Sequence, residues 1–284
     1  MDRLIIKTLS KTLPASLLML VLGCSAEQNI KQWQLPPPLD EISGLTLGNS
    51  DSVLLHDDEI AVVYEVQLDT GDVSTVFRIE QPTVERDFEG IAHTDSAFFL
   101  ITSEGELFRV SRSSLGSSSH ASSHAFPQAG TAPLENIVSA DVFDTGILEF
   151  CEIEGLHALN NYLYIACKTP YLKLDKHKLV LFEYSLESHS ITNEFRFDLE
   201  SLQLKKFNTS AIWLDEQSIY MLSAKQHRII EFDWAGSLLR QFKLDKRRHP
   251  QPEGLVVDRG RVIIADEGNG DGGRITIYPA FPSE

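Results

Sequence analysis

The chain has 284 residues, 42% of them hydrophobic, and a formal net charge of −16. This length is enough for one large domain with a sizeable core. The acidic balance argues against a nucleic-acid partner, because phosphates require a basic surface.

The first 23 residues have the pattern of a bacterial lipoprotein signal peptide. Three basic residues precede a short apolar run at 13–22, and Gly23 and Cys24 complete a lipobox. So short a run is typical of a signal peptide, since a membrane span needs about 20 apolar residues. We therefore expect a lipid on Cys24; the alternative is an ordinary secretory signal with an incidental cysteine.

The lipobox also predicts where the protein resides. Ser25 follows the lipidated cysteine, and a residue other than Asp there usually directs a lipoprotein to the outer membrane. We expect a cell-envelope protein that is anchored to the outer membrane and faces the periplasm. Residues 24–28 are then the lipid-anchored tether, and residues 29–284 form the folded domain.

Five repeats follow the tether. Each begins with a short signature, and the five are Ile42-Ser43-Gly44-Leu45, Phe88-Glu89-Gly90-Ile91, Ile153-Glu154-Gly155-Leu156, the weaker Thr209-Ser210-Ala211-Ile212, and Pro252-Glu253-Gly254-Leu255. Further short runs rich in Val, Ile, Phe and Tyr follow each signature, separated by Gly, Asp, Asn and Ser. Such runs are typical of β-strands, and no long helical pattern interrupts them.

Four strands in each of several repeats predict an all-β fold, a five-bladed β-propeller of four-stranded antiparallel blades. The fifth repeat ends after three strands, so we expect the segment at 30–35 to supply its fourth strand and close the ring. Six blades are the alternative, because the second repeat is long. Its length also has a simpler explanation, since the Ser-rich stretch at 111–135 has the composition of a flexible loop.

The residue before each signature glycine begins an inner strand. Glu89, Glu154 and Glu253 should therefore converge at one end of the central channel. Converging carboxylates are costly unless they are solvated, protonated or bound to a cation, and hard oxygen ligands favour Ca²⁺. The sequence thus predicts a calcium site; the alternative is that each glutamate caps backbone N–H groups of a neighbouring blade.

Polar corners after the second strands should lie at the same face. They offer Glu104, Lys168, Asp266 and Glu267 as candidate ligand-binding residues. Lys168 could hold an anionic ligand such as a phosphate, although a lysine among acidic residues more often balances their charge. With Cys24 lipidated, Cys151 and Cys167 remain, and in an oxidising compartment they could form a disulfide or stay as separate thiols.

The signatures, together with Ala166-Cys167-Lys168, resemble the SdiA-regulated, YjiK-like family. The resemblance covers most of the chain after residue 24, and it implies a five-bladed, envelope-associated propeller with a calcium site at Glu89, Glu154 and Glu253. Ser210-Ala211 departs from the Glu-Gly pattern, which puts a ligand from the fourth repeat in doubt.

The leading functional hypothesis is a calcium-binding propeller that binds an unknown small ligand or envelope protein at its glutamate-lined face. The alternative is a calcium-dependent hydrolase, a phosphoesterase of phytase-like type with Lys168 holding the anion. A third hypothesis is a module for protein contacts in which the metal only stiffens the ring. No Gly-x-Ser-x-Gly elbow, P-loop or Cys-x-x-Cys motif is present.

Overall fold

The computed structural model describes residues 29–49, 51–80, 82–115 and 136–281, which form β-strands and short 3₁₀ turns without an α-helix. None of these residues belongs to a helix that could cross a membrane. The predicted signal peptide, Cys24 and the tether at 24–28 lie outside the described residues. Most of the predicted loop at 111–135 also lies outside them, but Ser111 ends a strand and Arg112–Leu115 form a 3₁₀ turn.

The strands are arranged as five sheets in chain order. The chain opens with β1 (Lys31–Gln34) and then forms blade one from β2 (Ile42–Leu47), β3 (Ser52–Asp57), β4 (Val62–Gln67) and β5 (Val73–Ile79). Blade two contains β6 (Phe88–His93), β7 (Ala97–Thr102) and β8 (Glu106–Ser111). Then β9 (Ile137–Val138) adds to blade one parallel to β5, and β10 (Asp141–Asp144) completes blade two.

The last three blades are regular. Blade three contains β11 (Cys151–Leu159), β12 (Tyr162–Pro170), β13 (Lys178–Ser185) and β14 (Ser190–Asp198). Blade four contains β15 (Ala211–Leu214), β16 (Ser218–Ser223), β17 (Arg228–Asp233) and β18 (Leu238–Lys243). Blade five contains β19 (Pro252–Asp258), β20 (Arg261–Asp266) and β21 (Arg274–Tyr278).

The first strand closes the ring. β1 pairs antiparallel with β21, so that Trp33 lies opposite Ile275 in the fourth position of blade five. The five-bladed propeller and this closure are both confirmed, and six blades are excluded. The extra length of the second repeat contributes the short strand β9 and the outer strand β10 instead of a further blade.

The core lies between the blades, with one hydrophobic cluster at each of the five interfaces. Between blades one and two, for example, Phe77 meets Phe98 with ring centroids 5.2 Å apart, and in the same cluster Phe88 meets Phe108 of its own blade at 5.4 Å. Side chains alternate between the two faces of each blade along a strand, and the neighbouring blades cover both faces. Each large side chain buried this way contributes about 1.5–3 kcal/mol.

Each signature glycine marks a close approach between neighbouring inner strands. A Cβ on Gly90 would lie 2.7 Å from the backbone nitrogen of Leu156, in the next blade. The ladder also shifts register there, because Phe88 pairs with Thr102 while Gly90 pairs with Ile101. Similar shifts occur at the signatures of β2, β11 and β19. A β-bulge at this point changes the direction in which the side chain of the extra residue points, and in β6 that residue is Glu89.

Two cysteines join the inner strands of blade three. Cys151 on β11 and Cys167 on β12 are bonded as a disulfide, with their Cα atoms 5.7 Å apart. Both side chains are buried. The bond holds the start of β11 against the end of β12, and therefore supports the segment that carries Glu154 and Lys168.

Candidate ligand site at the glutamate face

The inner strands β6, β11 and β19 begin at the same end of the ring, which we call the glutamate face. Glu89, Glu154 and Glu253 lie at these starts, next to the glycines of the close approach. Neighbouring inner strands contact one another around the ring, so the three side chains approach from different blades. Glu154 is buried and the other two are half-buried.

The three carboxyl groups influence one another electrostatically. Burial raises the pKa of Glu89 to about 10, and the charges of Glu154, Asp87 and Glu253 contribute to the rise. Burial also raises the pKa of Glu253 to about 8, with Glu154 the next contributor. The sequence prediction that these glutamates converge agrees with this coupling. At neutral pH the cluster holds protons that isolated glutamates would have lost.

Lys168 is the cation of the cluster. Its ammonium lies 3.1 Å from Oε2 of Glu154 and 3.3 Å from Oε1 of Glu152. Burial raises the pKa of Glu154 to about 7, and Lys168 limits the rise. Glu154 and Glu152 hold the pKa of Lys168 above its usual range, against the opposing effect of burial. Lys168 therefore balances acidic neighbours, the second of the two roles considered for it.

The remaining two blades contribute hydroxyl groups. Ser43 and Ser210 occupy the corresponding positions, and both are buried. Ser210 accepts a hydrogen bond from the backbone N–H of Ala224 at 3.0 Å, and a hydrogen bond from Ser210 limits the pKa of Glu253. β15 lacks the register shift of the other inner strands. Blade four therefore brings no carboxylate to the channel.

A second acidic group lies at the rim between blades one and five. Burial raises the pKa of Glu267 to about 7, helped by a hydrogen bond and the charge of Glu41. Asp58 is also raised to a pKa of about 7, first by burial and then by Glu41. Asp58 and Glu41 were not among the predicted site residues, although Asp58 lies in the polar corner after the second strand of blade one.

Asp266 and Glu104 lie at the glutamate face, since Asp266 pairs with Pro252 and Glu104 follows Thr102, which pairs with Phe88. Asp266 is only 1% exposed, and its Oδ2 lies 2.8 Å from Nδ1 of His249. The other ring nitrogen of His249 lies 2.7 Å from the hydroxyl of Tyr278. One carboxylate oxygen of Asp266 is therefore engaged by a buried histidine. Glu104 is exposed in the turn between β7 and β8.

The carboxyl groups have suitable donor chemistry for Ca²⁺ but not a ready-made coordination set. Within the described ranges, no group of three or more His, Cys, Asp or Glu side chains is placed to hold a metal ion. One oxygen of Glu154, Oε2, already faces the ammonium of Lys168.

No protein-family model and no curated protein sequence matches the chain. Solved structures nevertheless share its fold. It is similar to the glutaminyl cyclase of Myxococcus xanthus, with 12% identity over 87% of this chain and 93% of that chain, at a TM-score of 0.58. It is also similar to a luciferin-regenerating enzyme, with 11% identity over 89% of this chain and 98% of that chain, at a TM-score of 0.53. At these identities the likeness establishes the fold alone.

Proposed function

We propose that the protein is a ligand-binding propeller of the bacterial cell envelope whose binding site is the glutamate face. The observation that carries this proposal is the cluster of Glu89, Glu154 and Glu253, whose pKa values are raised to about 10, 7 and 8. Strongly perturbed carboxyl groups at the end of a channel are typical of functional sites. A purely structural channel could be filled at lower cost by apolar side chains.

The ligand we propose is cationic, and Ca²⁺ is the first candidate. The carboxyl groups outnumber the ammonium of Lys168, and a cation would offset their mutual repulsion. Because the site lacks a ready-made coordination set, a metal must displace protons from the glutamates and rearrange Lys168. Binding should therefore strengthen as the pH rises from 6 to 9.

A thermal melt in excess EDTA, then in Ca²⁺ or Mg²⁺, tests this proposal. An ion that binds only the native state raises the melting temperature of the protein. We expect Ca²⁺ to raise it by several degrees at pH 8.5, and Glu89→Gln or Glu253→Gln to remove the shift. Glu187→Gln, an exposed change in the turn between β13 and β14, is the matched control. The calcium proposal fails if no divalent ion shifts the melt, or if the control loses the shift as well.

Anchoring through Cys24 is also part of the proposal. β1 runs toward the glutamate face, so its first residue, Lys31, lies at the opposite end of the ring. The six residues between Cys24 and Lys31 reach at most about 25 Å when extended. The glutamate face would then point away from the membrane. Palmitate labelling tests the anchor: the wild type should be labelled and Cys24→Ser should not, while labelling of the variant would contradict it.

A calcium-dependent phosphoesterase is the second candidate. Its support is the separation of the pKa values of Glu89 and Glu154, to about 10 and 7, which is how an acid and a base are distinguished in a carboxyl pair. The acidic surroundings of Lys168 weigh against a phosphate. Release of phosphate from phytate that requires both Ca²⁺ and Glu154 would favour this candidate. Membership of the SdiA-regulated, YjiK-like family stays a prediction.

A further inference from the structure

A cavity of about 580 Å³ lies at the end of the ring opposite the glutamate face, between blades two and three. Turns place it there: Thr94–Ser96 follow β6, and Asn160 and Asn161 join β11 to β12. Its volume is within the range of small-molecule sites. It shares no residue with the glutamate cluster.

The floor of the cavity is apolar. Phe99 and Leu107 are buried beneath it. One side is an aromatic pair, in which the ring of Phe143 stacks on that of His189 with centroids 4.5 Å apart and an interplanar angle of 17°. The cavity is therefore backed by apolar side chains at its base and by an aromatic ring at its side.

The rim offers polar groups without hydrogen-bond partners among the described residues, although the charge of Asp95 acts on Arg112. Asn160, Asn161 and Asp95 are exposed, and their side chains make no hydrogen bond within the described part of the chain. Side-chain amides both donate and accept, whereas a carboxylate accepts. Together the amides and the carboxylate suit a ligand with hydroxyl groups, because a hydroxyl group can both donate and accept a hydrogen bond.

The charged groups in the wall are already engaged. His93 donates from Nε2 to the carbonyl of Leu47 at 2.6 Å and accepts at Nδ1 from Arg112 at 2.8 Å. It is therefore a neutral imidazole, and burial lowers its pKa. Arg109 donates to Asp141 at 3.0 Å. No free cation within the described wall awaits an anionic ligand, and Asp95 alone is too few ligands for a metal.

We propose that this cavity binds a neutral saccharide of one or two rings. The sugar hydroxyls would pair with the amides of Asn160 and Asn161 and with Asp95. Its less polar faces would lie against Phe143 and the apolar floor. This inference is independent of the proposed function, because it concerns the other end of the ring.

Saturation-transfer NMR with maltose and with N,N′-diacetylchitobiose as probes tests the proposal. We expect transfer to at least one disaccharide, and Asn161→Ala and Phe143→Leu should each weaken its binding by about fivefold to tenfold. Glu216→Gln, an exposed change in the turn between β15 and β16 of blade four, should bind as the wild type does. Melting curves of each variant establish that it is folded.

Two results would overturn the proposal. One is the absence of transfer to both disaccharides at tens of millimolar with a folded wild-type protein. The other is transfer that persists unchanged in both cavity variants, which would place the sugar elsewhere. Neither result bears on the glutamate face, whose melts with Ca²⁺ are measured separately.

Discussion

The ammonium of Lys168 lies 3.1 Å from Oε2 of Glu154, and the two residues come from adjacent strands of the same blade. This pair joins the glutamate cluster to the disulfide, since Cys167 precedes Lys168 and Cys151 lies three residues before Glu154. The partner of Lys168 is nearly buried, with only 4% of its side chain exposed. The positive charge of Lys168 therefore offsets the negative charges of several acidic side chains at the channel.

Removing this cation should destabilise the domain in a pH-dependent way. In Lys168→Met the pKa of Glu154 rises further, because Lys168 is the main group that lowers it. We expect a loss of about 1–2 kcal/mol at pH 9, where Glu154 is ionised, and a smaller loss at pH 6. Urea unfolding at both pH values measures it, with the exposed Lys173→Met as control. An equal loss at both pH values would contradict the assignment.

The stability of the domain should fall as the pH rises from about 5 to 10. The pKa values of Glu154, Glu253 and Glu89 are raised to about 7, 8 and 10 in the folded state, above the unfolded value near 4.5. The folded state consequently binds more protons than the unfolded state over this range, and stability decreases with pH.

In Glu89→Gln the decline of stability with pH should be shallower, because the amide of Gln does not titrate in this pH range. The variant should melt at a higher temperature than the wild type at pH 9.5. Melts in EDTA at several pH values check this, with Glu187→Gln expected to follow the wild type. A wild type that is equally stable at pH 7 and 9.5 would show that the carboxyl groups are not coupled as described.

Trp33 should be the principal anchor of the closing strand. Its indole N–H donates to the carbonyl of Leu68 at 3.1 Å, and its ring packs on Gly71, where a Cβ would lie 2.6 Å from the indole. We expect Trp33→Ala to cost about 2–4 kcal/mol in urea unfolding. Lys31→Ala, on the same strand but exposed, should cost little. Equal stability of Trp33→Ala and the wild type would mean that ring closure depends on other contacts.

The disulfide should stabilise the domain by about 2–4 kcal/mol, since it closes a loop of 16 residues. Replacing Cys151 and Cys167 together by serine should lower the free energy of unfolding by that amount. Mass spectrometry of unreduced peptides should find the two cysteines linked. If both react with an alkylating reagent in the oxidised, unfolded protein, the bond is not formed.

The repeated signature predicted the strands, the five blades and the closing strand because each depends on local alternation and on repetition. The glutamates could be assigned to one end of the ring for the same reason. The β-bulge at the signature was not predicted, since Glu89 is re-aimed only when Gly90 meets the backbone of Leu156, far along the chain.

The contacts that the sequence could not predict are those between side chains that meet across loops or strands. Asp266 has the pattern of an exposed corner residue, yet His249 from the loop before β19 covers it. That loop has no repeat or strand pattern, so the contact gave no signal in the sequence. Lys168 could be either a ligand-binding group or a counter-ion, and only the pairing of β11 with β12 placed it beside Glu152 and Glu154.

The most direct test of the central claim is a site-resolved titration of the glutamate carboxyl carbons by ¹³C NMR in EDTA. If Glu89, Glu154 and Glu253 form one coupled cluster, their resonances titrate well above the ordinary range, and Glu253→Gln lowers the apparent pKa of Glu89. If all three titrate near the ordinary value of about 4.3 and do not respond to each other's replacement, the glutamates do not form a shared site.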